Sequence, residues 1–197
     1  MNKIILLLTA GVVAAIIFFV PPIKGLGELA KIIFFHVPTA WVSVVAFFSS
    51  AFFAAKFLRT NDFKFDALSA RAAKLGFVFV LLSTISGAIF SKLTWGAYWN
   101  WDPRQTTIFV LILIYGAYLT LRSAVVDEKI RAKVSAVYSL LSVLTVPFLV
   151  FVLPRMYFSL HPSPINSSGV DMDSEVLIVL VAAVVDATLI FVRFMRR

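Results

Sequence analysis

Cysteine is absent from the 197 residues. That excludes disulfides, thiolate metal sites and thioether attachment of a cofactor to this chain. Histidine is nearly absent as well, with only His36 and His161, so any imidazole-based site must draw on these two. Charge is scarce: Asp, Glu, Lys and Arg make up 14% of the chain, against 61% hydrophobic residues. With a mean hydropathy of +0.97 the composition lies far outside that of soluble domains. The 18 basic residues exceed the 10 acidic ones, for a net charge of +8, yet no soluble fold with a basic face accompanies the excess. No nucleic-acid partner is therefore expected. No internal repeat or low-complexity tract is present.

What is abundant is long apolar runs. They cover residues 4–20, 37–55, 75–91, 108–121 (extended by a polar helix start at Pro103), 134–153 and 176–192, the last interrupted only by Asp186. Each can cross a hydrocarbon core of about 30 Å as a helix. The expectation is an all-α, polytopic integral membrane protein of six transmembrane helices, forming one membrane domain over residues 1–197. The first run could alternatively be a signal peptide, but no convincing small-residue cleavage site follows it, and a span is preferred.

Basic residues set the orientation. Lys3, the loop bearing Lys56, Arg59, Lys64, Arg71 and Lys74, the loop bearing Arg122, Lys129, Arg131 and Lys133, and the tail with Arg193, Arg196 and Arg197 carry thirteen of them. The opposite side carries five: Lys24, Lys31, Lys92, Arg104 and Arg155. The richer side should be cytoplasmic, with both termini on it. Residues 92–107, His36 and His161 then all fall on the outer side.

The chain is organised around residues 92–107. Three of the four tryptophans, Trp95, Trp99 and Trp101, fall within seven positions, with Gly96, Tyr98, Asp102, Pro103 and Arg104 among or beside them. Each indole N–H needs a partner when buried, so this density makes poor core and a good stacking surface for a flat molecule. Interfacial aromatic belts are the plain alternative. Asp102 before Pro103, with Gln105 following, reads as the N-cap of a helix. The free N–H groups of that helix end, with Arg104 beside them, attract anions. Gly96 would let a ligand or a neighbouring helix approach the backbone. His36, before Pro38, and His161, before Pro162, sit where proline holds the chain at a helix start or out of a helix. Asp186 within the last span reads either as part of a polar path or as a hydroxyl-bonded packing residue. Trp41 and the Phe-rich second span read as lipid-facing or packing surface.

A planar, apolar ligand that bears carboxylates and accepts an imidazole on each face is haem. Arg104 and Arg155 are candidate partners for its propionates. The run Trp95-Gly96-Ala97-Tyr98-Trp99-Asn100-Trp101-Asp102-Pro103-Arg104 resembles the tryptophan-rich "WWD" signature of haem-handling proteins in cytochrome c biogenesis. Within that superfamily the whole chain is similar to the haem exporter protein C (CcmC) type. The likeness extends to His36-Val37-Pro38-Thr39-Ala40-Trp41 at the second span and to Leu160-His161-Pro162 after the fifth.

The resemblance implies that His36 and His161 are axial ligands of haem b, held non-covalently as cargo on the periplasmic side of a bacterial inner membrane. It places Trp95, Tyr98, Trp99, Trp101 and Asp102 in the binding platform. It further implies delivery to a periplasmic haem chaperone, together with a small membrane subunit and an ABC transporter pair. No catalytic group for bond making is evident, so the chain reads as a binding and transfer protein rather than an enzyme. Two rivals remain: a cytochrome c haem lyase or synthetase-type protein, and a transporter carrying haem across the bilayer.

Overall fold

The computed structural model describes residues 3–22, 27–161, 165–166, 169–170 and 172–196. Lys24, Pro162 and Arg197, all used in the sequence reading, lie outside the described residues.

Almost all of the described chain is helical. Helix α1 is Lys3–Phe18; a short 3-10 turn, Glu28–Ile32, leads into α2, Ile33–Thr60. Helix α3 is Phe63–Trp95 and α4 is Pro103–Ala124. Helix α5, Glu128–Pro147, continues through a widened π-helical turn, Phe148–Val152, into α6, Leu153–Met156; α7 is Ser174–Met195. Two short strands, β1 (Ile165–Asn166) and β2 (Gly169–Val170), pair antiparallel.

Five helical stretches are long and apolar enough to cross a membrane: Glu28–Thr60, Phe63–Trp95, Pro103–Ala124, Glu128–Met156 and Ser174–Met195. The protein is thus a polytopic helical membrane protein. The expected first span is helical over 16 residues, or about 24 Å at 1.5 Å per residue, and is the shortest of the six.

Local chemistry accounts for the helix boundaries. Asn61 takes a left-handed φ of 54°, and its amide donates to Phe57 O at 2.7 Å, closing α2 as glycine or asparagine does. Asp62 then opens α3 by accepting from the Lys64 amide at 3.0 Å. Asp127 caps α5 through the Ile130 amide at 2.8 Å. Pro147 lacks the N–H that the helical ladder needs, and the ladder widens into the π turn directly after it.

The contacts divide the chain into two compact units, and α2 and α3 contribute to both. In the unit made of residues 1–42, 82–100 and 160–197, α1 lies along α7. Val20, Phe34 and Val176 form its buried apolar cluster. The Thr9 hydroxyl donates to Asp186 Oδ1 at 3.0 Å, so the intramembrane carboxyl is a buried, hydroxyl-bonded group.

In the unit made of residues 43–81 and 101–159, α4 packs on α5 and on its π turn. Phe47 stacks on Tyr115 at the centre of a cluster that includes Val80, Leu111 and Val146. Gly76 makes room for that ring, since a Cβ there would come within 2.7 Å of it. Ser50 bonds both Ser69 and Ser139, at 3.2 and 2.9 Å, joining three helices through small polar residues. Asp66 and Arg122 form a bidentate pair at 2.7 and 2.6 Å.

Candidate functional site

His36 is the fourth residue of α2. Pro38 cannot donate to the helical ladder, and the Thr39 hydroxyl bonds back to the carbonyls of Phe35 and His36, at 2.8 and 2.9 Å. The imidazole is held from α3. Its Nδ1 is 2.9 Å from Ser83 O and 3.1 Å from Ser86 Oγ, and the Ser86 hydroxyl itself donates to Ser83 O at 2.9 Å. A carbonyl oxygen only accepts, so the proton is on Nδ1 and the Nε2 lone pair of the neutral ring is left available. This is the arrangement in which metal-binding histidines are oriented by a carbonyl behind them. On the same side, Gly87 lies against the ring: a Cβ built there would be 2.9 Å from His36 Cε1.

His161 is brought to the same place from the far end of the chain. Its ring centroid is 6.4 Å from that of His36, with the planes tilted by 39°. Trp95, the last residue of α3, stands 5.4 Å from the His161 ring, with Phe90 edge-on behind it at 5.6 Å. His36, His161 and Trp95 therefore converge.

The loop after α3 has its own scaffold. Gly96 adopts φ +83°, and a Cβ there would meet nothing within 4 Å, so the glycine serves the left-handed helix cap rather than a close helix approach. The Ser91 hydroxyl donates to Ala97 O at 2.7 Å, and the Asn100 amide donates to Ser91 Oγ at 2.7 Å. Lys92 Nζ donates to Gly96 O at 2.9 Å and lies 5.7 Å from the Tyr98 ring centre. Tyr98 is exposed, while Trp99 is half-buried.

In the other unit, Trp101 has a left-handed φ of 56°, uncommon for so bulky a residue, and its indole is 76% exposed. Asp102 is the N-cap of α4 as expected: Oδ1 accepts the Arg104 amide at 2.9 Å. It is also buried and accepts the Ser159 hydroxyl on both oxygens, at 3.1 and 2.9 Å. Ser159 precedes His161 by two residues. Arg104 lies within electrostatic reach of both Arg155 and Asp102. Arg104 Nε is buried with no hydrogen-bond partner among the described residues, and Arg155 donates to Phe151 O at 2.7 Å. Arg104 thus has a second guanidinium and one carboxylate around it.

The model of the family described as "Heme exporter protein C" matches residues 1–196. The chain belongs to the haem exporter protein C family. It is 30% identical over 168 residues to a heme exporter protein C of Bradyrhizobium diazoefficiens, covering 84% of this chain and 64% of the relative. A heme exporter protein C of Haemophilus influenzae is 31% identical over 147 residues, 75% of this chain and 59% of its own length. A mitochondrial ccmC-like protein of Marchantia polymorpha, described as one of cytochrome c biosynthesis, is 30% identical over 172 residues, 87% and 72% of the two chains. This member of the haem exporter protein C family thus spans roughly three fifths to three quarters of the relatives it matches.

Sequence reasoning missed Ser83, Ser86 and Gly87, which hold His36, and Ser159, which binds Asp102. The only signal was the small-residue run Ser83-Thr84-Ile85-Ser86-Gly87, a pattern that marks close approach between membrane helices.

Proposed function

We propose that this protein binds haem b as non-covalent cargo on the outer, periplasmic face of a bacterial inner membrane and delivers it to a haem chaperone for cytochrome c maturation. His36 and His161 are the axial ligands. Trp95, Tyr98, Trp99 and Trp101 form the stacking platform with Gly96 as its hinge, and Asp102 orders the platform's end. Arg104 and Arg155 pair with the propionates. The partners are the chaperone, a small membrane subunit and an ABC transporter pair, and residues 1–197 act as one membrane domain.

The observation that carries this reading is the His36–His161 pair. An imidazole centroid stands about 1.2 Å from its coordinating nitrogen and metal–imidazole bonds are about 2.0 Å, so two imidazoles on opposite sides of one metal have centroids about 6.4 Å apart. In the structure the separation is 6.4 Å. Among the described residues no group of three or more His, Cys, Asp or Glu could hold a bare metal ion. An iron that already carries its equatorial nitrogens needs only these two protein ligands. The donor set fits haem, and the protein's part in the chemistry is ligation, stacking and release.

The test is the optical spectrum of the detergent-purified protein expressed with ample haem, beside His36→Ala and His161→Ala. A low-spin bis-histidine spectrum that is changed or lost in both variants is expected. Failure of the wild type to carry or take up haem overturns the ligation scheme.

A further inference from the structure

We propose that Ser83, Ser86 and Gly87 of α3 form a cradle that fixes the tautomer and the rotation of the His36 ring, and so act as positioning residues for the ligand. This rests on His36 being a haem ligand. The argument begins with helical geometry. Residues four apart lie on one face of a helix, so the Ser83 carbonyl and Gly87 are presented together to α2. The carbonyl takes the Nδ1 proton at 2.9 Å, and the Ser86 hydroxyl, 3.1 Å from the same nitrogen, donates to that carbonyl at 2.9 Å. One turn on, the missing side chain of Gly87 admits the ring edge, with the Cε1, Nδ1 and Nε2 positions 2.9, 3.3 and 3.9 Å from where a Cβ would stand. Hydrogen bonds fix which nitrogen bears the proton, and the glycine fixes the plane in which the other nitrogen points. Partners of this kind orient metal-binding imidazoles and strengthen them as donors.

Gly87 separates positioning from folding. It lies within a helix and its backbone conformation suits alanine, which is the better helix former. The atoms that a Cβ would displace belong to the end of the His36 side chain, so the fold can absorb the substitution by turning the ring. The ligand geometry cannot.

The experiment compares haem-loaded wild type, Gly87→Ala, Ser86→Ala and Gly11→Ala, whose added Cβ meets nothing within 4 Å, alongside His36→Ala and the Gly87→Ala/His36→Ala double variant. Readouts are thermal unfolding of the haem-free protein, the low-spin electron paramagnetic resonance signal, the midpoint potential and the rate of haem loss to a haem-scavenging globin. Gly87→Ala should keep wild-type thermal stability, shift the low-spin signal and lose haem at least tenfold faster, in line with the tenfold to hundredfold effect of disturbing such supports. Ser86→Ala removes the Oγ lone pair that accepts from Nδ1–H at 3.1 Å and should raise the midpoint potential, since the ring becomes a weaker donor to ferric iron. Gly11→Ala should match wild type, and the double variant should be no worse than His36→Ala. If His36→Ala holds haem like the wild type, the ligand assignment itself falls. If His36→Ala loses haem while Gly87→Ala and Ser86→Ala keep the wild-type signal, potential and haem-loss rate, the ligand stands and the cradle is overturned.

Discussion

Removing the Ser159 hydroxyl should loosen the segment that carries His161 while leaving His36 undisturbed. Ser159 has one O–H, so its 3.1 and 2.9 Å approaches to the Asp102 oxygens describe a single hydrogen bond shared across the carboxylate. A bond to a charged acceptor contributes about 1.5–3 kcal/mol. Because the Arg104 amide still partners Oδ1, the lower half of that range, about 1.5–2 kcal/mol, is expected for Ser159→Ala. Asp102→Ala removes the same bond together with the helix cap, itself about 1 kcal/mol, for a total of about 3 kcal/mol. Asp102→Asn keeps the cap, because Asn and Asp are equivalent there, and weakens only the Ser159 bond.

These values make the double variant decisive. Once Asp102 is gone, Ser159 has lost that acceptor, so Ser159→Ala/Asp102→Ala should cost less than the sum of the two single variants, with a coupling of about 1.5 kcal/mol. The assay is thermal unfolding in detergent, followed by far-ultraviolet circular dichroism. The low-spin resonance signal of haem-loaded protein is read in parallel, and Ser159→Thr should restore both. Additive losses, or an Asp102→Ala variant milder than Ser159→Ala, would refute the clasp.

Three further outcomes follow from the geometry. Asp66→Ala should destabilise the fold by about 3–5 kcal/mol by stranding the Arg122 guanidinium, and pairing it with Arg122→Ala should recover most of that loss in the same unfolding assay. Gly96→Ala should cost about 1–2 kcal/mol, the penalty for a side chain at a left-handed φ, and should raise hydrogen exchange across residues 96–100. Thr9→Val should lower stability by about 0.6 kcal/mol, the mean for hydrogen bonds between membrane helices, whereas Asp186→Asn, which can still accept from Thr9, should be near neutral by calorimetry.

The sequence made some parts legible because their physics is local. Apolar runs locate helices by length alone, and Asp102-Pro103 announces a helix start through capping and the fixed φ of proline. The tryptophan density and the scarcity of histidine singled out the candidate site residues for the same reason: they are statements about composition over a few positions. The helices nevertheless run past their apolar cores. The second begins at Ile33 rather than near residue 37, directly after the 3-10 turn Glu28–Ile32, and runs on through Pro38. The left-handed Trp101 had no herald, since no residue type there asks for it.

What the sequence could not show is which atoms hold the ligands, because that depends on segments brought together from far along the chain. Ser83 acts through its carbonyl, which every residue possesses, and Gly87 acts through an atom it lacks. Neither carries a chemical label in the sequence. Within a membrane, where no water competes for backbone groups, a carbonyl is as good an orienting acceptor for an imidazole N–H as a carboxylate would be. It also brings no charge to desolvate. In the proposed site the distinctive residues, His36 and His161, are used only on what must touch the ligand. The orientation of His36 is left to a helix carbonyl, a neighbouring hydroxyl and the absence of a side chain one turn on.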